Sequence, residues 1–67
     1  MNSIKDLVKL ISRRDGITEN EAWFAVDECV EDIQYLCAHG GNYNDLVNCI
    51  QVQLGLEPDY LDIILNY

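Results

Sequence analysis

Apolar residues recur along the chain at helical spacing in four segments. Ile4, Leu7, Val8 and Ile11 fall on one side of a first helix, with Asn2 or Ser3 placed to cap it and Gly16 placed to end it. A longer stripe follows through Ala22, Val26, Cys29, Val30, Ile33, Leu36 and Cys37. Thr18 followed three residues on by Glu21 is the capping-box pair that opens this second helix, and Ile17 is set for a hydrophobic staple against Ala22. Glu19 and Glu21 suit the positive end of its dipole, and Gly40-Gly41 marks its stop. Tyr43, Leu46, Val47, Ile50 and Leu54 form one face of a third helix, which begins after Asn42 or Asn44 and closes at Gly55. Pro58 then occupies a first-turn position, where its missing N–H costs nothing, behind Leu56 or Glu57 as the cap. Tyr60, Leu61, Ile63, Ile64, Leu65 and Tyr67 leave this fourth helix apolar on nearly every side, so it is either wedged among the others or shared with another copy. No segment alternates in the manner of a strand. The expected fold is all-α: a compact bundle of four short helices over about residues 3–15, 18–39, 43–54 and 58–66, forming a single domain across residues 1–67.

Composition agrees with a folded chain. Of 67 residues, 49% are apolar and 24% charged, which is not the balance of a disordered segment. No apolar run approaches the roughly 20 residues that span a bilayer. No basic start followed by an apolar stretch marks a secretion signal, so the expected location is cytoplasmic, away from membranes.

Charge changes the picture more. The net charge is -8. All four bases, Lys5, Lys9, Arg13 and Arg14, lie in the first 14 residues, where Asp6 is the one acid; residues 15–67 carry eleven acids and no base. A field of that sign repels nucleic-acid phosphates and attracts basic protein surfaces. Solubility accounts for a negative net charge but not for the segregation of every cation to one end.

The second helix turns about 100° per residue. With Ile33 at the centre of its apolar stripe, the opposite side presents Phe24, Asp27, Glu28, Glu31 and Tyr35. Asp27 with Glu31, and Glu28 with Asp32, are like-charge pairs four apart, each costing a few tenths of a kcal/mol in an isolated helix. Either Lys5, Lys9 and Arg13 neutralise these carboxylates from the first helix, or the acids stand unmatched. Phe24 and Tyr35 pose a parallel choice. A crossing helix buries them, or they are aromatic anchors on an acidic surface suited to a basic protein groove, where rings supply binding energy and charges supply steering and register. The candidate partner-binding residues are Glu21, Phe24, Asp27, Glu28, Glu31, Asp32 and Tyr35. Trp23, at the border of the stripe, reads as packing.

Three cysteines do not pair off. On one helix Cys29 and Cys37 lie roughly 12 Å apart, beyond the ~7 Å Cα separation a disulfide tolerates. Either one can reach Cys49 in principle, but without an export signal buried free thiols are expected. Cys37, His39, Cys29 and Cys49 match no paired Cys-x-x-Cys spacing, so no metal and no cofactor are expected. His39 suits a helix C-terminus. The chain has one His, no Gly-rich phosphate loop and no Ser/His/Asp set, and no twelve-residue EF-hand loop, so no enzyme activity is expected.

Two resemblances add to this reading. Ile4-Lys5-Asp6-Leu7-Val8, Gly16-Ile17-Thr18, Ala22, Ala25, Val26 and Ile33 resemble the N-terminal helical hairpin of the HU/IHF proteins over about the first 33 residues. That family continues into a β-sheet with basic arms that bend DNA. Here the chain continues into two helical segments without a Lys or Arg, so the resemblance implies a hairpin that dimerises and no direct nucleic-acid binding. The whole chain, with Gly55-Leu56-Glu57-Pro58-Asp59-Tyr60-Leu61, is similar to short acidic proteins encoded by bacteriophages, a class that includes inhibitors of host defence such as anti-CRISPR proteins. Together these suggest a non-enzymatic, phage-derived inhibitor in the host cytoplasm that occludes a basic nucleic-acid-binding surface of a host protein. The alternative is a small assembly module that forms a homodimer through Leu61, Ile63, Ile64, Leu65 and Tyr67.

Overall fold

A computed structural model describes residues 3–66. Each helix begins and ends where local chemistry satisfies its unpaired backbone groups. Helix α1 (Ile4–Asp15) is capped by Ser3, whose hydroxyl accepts from the Asp6 N–H at 3.3 Å, while Asn2 lies outside the described residues. It ends at Gly16 in the left-handed conformation, and the Ser12 hydroxyl donates to the Ile17 carbonyl at 2.6 Å across the turn. Helix α2 (Glu19–Ala38) opens on the expected capping box: Thr18 Oγ1 accepts from the Glu21 N–H at 3.1 Å, and Glu21 Oε1 accepts from the Thr18 N–H. Helix α3 (Tyr43–Leu54) opens on a second reciprocal box between Asn42 and Asp45, at 3.0 and 3.1 Å, which selects Asn42 over Asn44 as its cap. A 3-10 turn at Pro58–Tyr60 leads directly into α4 (Leu61–Leu65), so the expected fourth helix is an α-helix only in its second half.

The turn after α2 shows why two successive glycines stand there. Gly40 has φ +80, a conformation that side chains with a Cβ rarely adopt. Gly41 donates its N–H to the Leu36 carbonyl at 2.7 Å, and a Cβ on it would lie 2.8 Å from the Leu36 Cβ. The chain thus folds back closely enough for α3 to run antiparallel along α2.

Helix α2 organises the bundle. Its 20 residues span about 30 Å at 1.5 Å each, which accounts for most of the 34 Å long axis of the molecule. Helices α1, α3 and α4 all pack against it, and α4 also rests on α3. The core contains Leu7, Val8 and Ile11 of α1, Ala22, Val26, Cys29, Val30 and Ile33 of α2, Leu46, Cys49, Ile50 and Leu54 of α3, and Leu56, Leu61 and Ile64 after it. Among the described residues no polar or charged residue is buried, and all twelve carboxylates are exposed. No described helix is long and apolar enough to cross a membrane.

One cation has a structural task. The Arg14 guanidinium donates to the carbonyls of Leu54 at 2.6 Å and Gly55 at 3.1 Å, closing the negative end of α3 against the end of α1. It also pairs with Asp15 at 2.8 Å, and this hydrogen-bonded partner holds the Asp15 carboxyl below its usual range.

Three expectations need correction. Cys37, placed in the inward stripe of α2, is exposed, and Leu36 is only half-buried. Leu36 lines the open groove beside α3 and Cys37 the open groove beside α4, so neither is closed over by the helix opposite. Tyr43, placed on the apolar face of α3, is exposed because it is the first residue of its helix and has no opposing turn. In α4, Leu61 and Ile64 belong to the chain's own core, Ile63 is half-buried, and Leu65 is 48% exposed. Tyr67 lies outside the described residues. The five-residue self-association surface is therefore not intact: two of its members, Leu61 and Ile64, fill the space against α2 and α3 in the monomer.

Cys29 and Cys49 meet in the core with Sγ atoms 3.9 Å apart, both as free thiols. Burial, reinforced by the neighbouring Cys49 and the Asp32 charge, pushes the Cys29 thiol up to about 12, and burial raises Cys49 as well. A thiol with a pKa near 12 is about one part in 10⁴ thiolate at pH 8. Mass spectrometry after brief iodoacetamide treatment of the native protein at pH 8 should therefore find one alkylated cysteine, Cys37. Modification of Cys29 and Cys49 should require denaturant.

Candidate acidic and aromatic face

Because three helices pack against one side of α2, the other side is left to solvent. Phe24 and Tyr35 are 72% and 63% exposed there, so no crossing helix buries them. Eleven residues apart, they complete three turns with about 20° to spare and stand roughly 16 Å from each other on one line of the helix. Glu28 and Glu31 lie between them at steps of four, three and four residues. The seven sequence-derived candidates, Glu21, Phe24, Asp27, Glu28, Glu31, Asp32 and Tyr35, are all exposed on α2.

They are not equivalent. Glu21 is held by the capping box, where its Oε1 also accepts from the Thr18 hydroxyl at 3.1 Å. Asp32 accepts from the Gln53 side-chain amide of α3, and the same amide nitrogen lies 3.3 Å from Cys49 Sγ. Tyr35 stacks on His39 one turn along, with ring centroids 4.0 Å apart, and the His39 Nδ1 lies 2.8 Å from the Tyr35 carbonyl oxygen. The side chains of Asp27, Glu28 and Glu31 make no hydrogen bond or ion pair with any other described residue. No described ion pair joins Lys5, Lys9 or Arg13 to an acid of α2. The neutralising arrangement considered from the sequence is thus absent among the described residues, and no described cation relieves the like-charge pairs at spacing four.

The acidic surface extends further than the sequence alone indicated. Helix α3 contributes Asp45, Asn48 and Val52, spaced three and four apart on one face, beside Asp32, Tyr35 and Leu36 of α2. Between the two helices runs a groove of about 400 Å³. Val52, 75% exposed on the polar side of α3, was legible in hindsight as a lone apolar residue out of phase with its helix. Its proximity to Tyr35 was not. A smaller recess at the other end of α2 is lined by Asn20, Trp23, Phe24 and Asp27, and Trp23 is half-buried there, packed against the core.

Chemically the arrangement offers carboxylates, exposed rings and an apolar cleft. Among the described residues no group of three or more His, Cys, Asp or Glu side chains is placed to hold a metal ion. Comparison with protein-family models, curated proteins and solved structures returned no match.

If Phe24 and Tyr35 carry no part of the fold, truncating them leaves stability nearly unchanged. Phe24→Ser and Tyr35→Ser should each unfold within about 0.5 kcal/mol of the parent in urea, against the 3–5 kcal/mol lost when a buried Phe is removed.

Proposed function

We propose that the protein is a non-enzymatic binding module that docks the exposed face of α2 onto a basic surface of a nucleic-acid-handling protein and occludes it. The observation that carries this reading is the pair of exposed rings, Phe24 and Tyr35, flanking the Glu28 and Glu31 carboxylates, which have no partner among the described residues. An isolated helix bearing Asp27, Glu28, Glu31 and Asp32 gains stability when a cationic surface relieves their repulsion. Rings at the two ends of that row supply apolar contact area, the part of an interface that dominates its energy. Net charge of -8 speeds encounter with a basic target and opposes approach to phosphate. The resemblance to short acidic phage proteins favours a host defence protein as the target.

The decisive experiment uses a partner captured from a host lysate on the immobilised chain, with its own oligonucleotide bound and followed by fluorescence anisotropy. The parent protein should displace the oligonucleotide. The Glu28→Lys/Glu31→Lys variant should retain the parent's helical circular dichroism yet compete at least about 100-fold less well, since reversing two close charge pairs removes roughly 3 kcal/mol or more. Equal competition by the two proteins at ~150 mM salt would overturn the reading.

A second reading, a self-associating module, rests on a different observation. The groove between α2 and α4 is lined by Val30, Ile33, Gln34, Cys37, Ala38, Ile64 and Leu65, with no charged side chain among them. In so acidic a chain, this is where two copies would meet with least repulsion. That reading expects a concentration-dependent dimer by sedimentation velocity between 1 and 100 µM (roughly the range in which modest interfaces form), weakened by Leu65→Lys. A monomer throughout retires it.

A further inference from the structure

The groove between α2 and α3 has a construction that the α2 face by itself lacks. Its floor is apolar, formed by half-buried Leu36 and buried Cys49. Its walls are the exposed Tyr35 ring on one helix and Val52 on the other. A carboxylate stands on each side, Asp32 from α2 and Asp45 from α3. Both are already oriented, Asp32 by the Gln53 amide and Asp45 by the Asn42 N–H through one oxygen, Oδ2. At about 400 Å³ the space falls within the size range of small-ligand pockets, about 300–1,000 Å³.

We infer that this groove seats an arginine side chain of the basic partner, its guanidinium stacked on Tyr35 between Asp32 and Asp45 and its methylene stem lying over Leu36 and Val52. The inference rests on the proposed docking of the acidic face and names the side chain that anchors it. Charge selects a cation: two carboxylates line the cleft, and no described base is paired with either. Shape selects arginine over lysine. A guanidinium is planar, weakly hydrated and able to stack on an aromatic face while donating in two directions, whereas a lysine ammonium is a compact, strongly hydrated point charge. The apolar floor suits the long stem of a side chain that keeps only its head among polar groups.

The test uses the full ¹⁵N-labelled chain and two probes of equal charge, a hexa-arginine and a hexa-lysine peptide. The arginine peptide should bind about tenfold more tightly and shift the amide signals of Asp45, Asn48 and Val52. Val52→Lys places a cation on an exposed wall without touching the core. It should lower arginine-peptide affinity about tenfold and remove the preference, and Asp45→Asn should reduce the preference in the same direction. Glu28→Lys/Glu31→Lys should weaken both peptides alike. Equal affinities for the two peptides, or an arginine preference that survives both groove variants, would overturn the groove while leaving the docking face standing. Failure of both peptides to bind would overturn the groove and the docking face together. The same amide shifts appearing on concentrating the protein without peptide would assign the groove to a second copy of the chain instead, and would also overturn the inference.

Discussion

Helices α1, α3 and α4 bury their apolar residues against one side of α2, and that shared surface is the constraint from which the other features follow. The three shorter helices cover one side of this 20-residue helix. The uncovered side must remain in water, so it carries polar residues by necessity. What necessity does not explain is a phenylalanine and a tyrosine placed on it at matching phase.

The distribution of charge sharpens the point. Of the four cations, Arg14 is committed to the α3 C-terminus and to Asp15. Lys5, Lys9 and Arg13 sit on the solvent side of α1 and form no ion pair with α2. The molecule is therefore divided into a small basic edge and a large acidic remainder whose internal repulsion is left standing. Each like-charge pair costs only a few tenths of a kcal/mol, small against the fold but of consistent sign. A surface that is mildly unfavourable in isolation and favourable against a cation is biased toward one class of neighbour. That bias, with the exposed rings, supports a docking role over mere solvation.

The buried junction of α2 and α3 links the core to this surface. Cys29 and Cys49 pack Sγ to Sγ, Gln53 reaches from Cys49 to Asp32, and Asp32 stands at the edge of the groove that also holds Tyr35 and Asp45. This buried contact sets the spacing of the two carboxylate-bearing helices. Groups held by the scaffold need no ordering when a ligand arrives, which lowers the entropic cost of recognition.

Local chemistry was legible in the sequence because it acts over a few residues. The capping box at Thr18 and Glu21, the glycines after each of the first three helices, and the 3.6-residue apolar period fixed the number of helices and nearly all their boundaries. The same periodicity identified the face of α2 that carries Phe24, Glu28, Glu31 and Tyr35. Its exposure was left open, because a helical wheel shows which residues share a side but not where neighbouring helices run out. Cys37 was misplaced for that reason: its phase is inward, yet it lines an open groove beside Ile64 and Leu65. Leu61 and Ile64 were open to two uses until the turn at Gly55 directed them into the chain's own core. The joining of Tyr35 with Asp45 and Val52 across the α2–α3 groove was decided by tertiary structure alone, since it depends on the closeness and antiparallel register of two helices that only their packing sets.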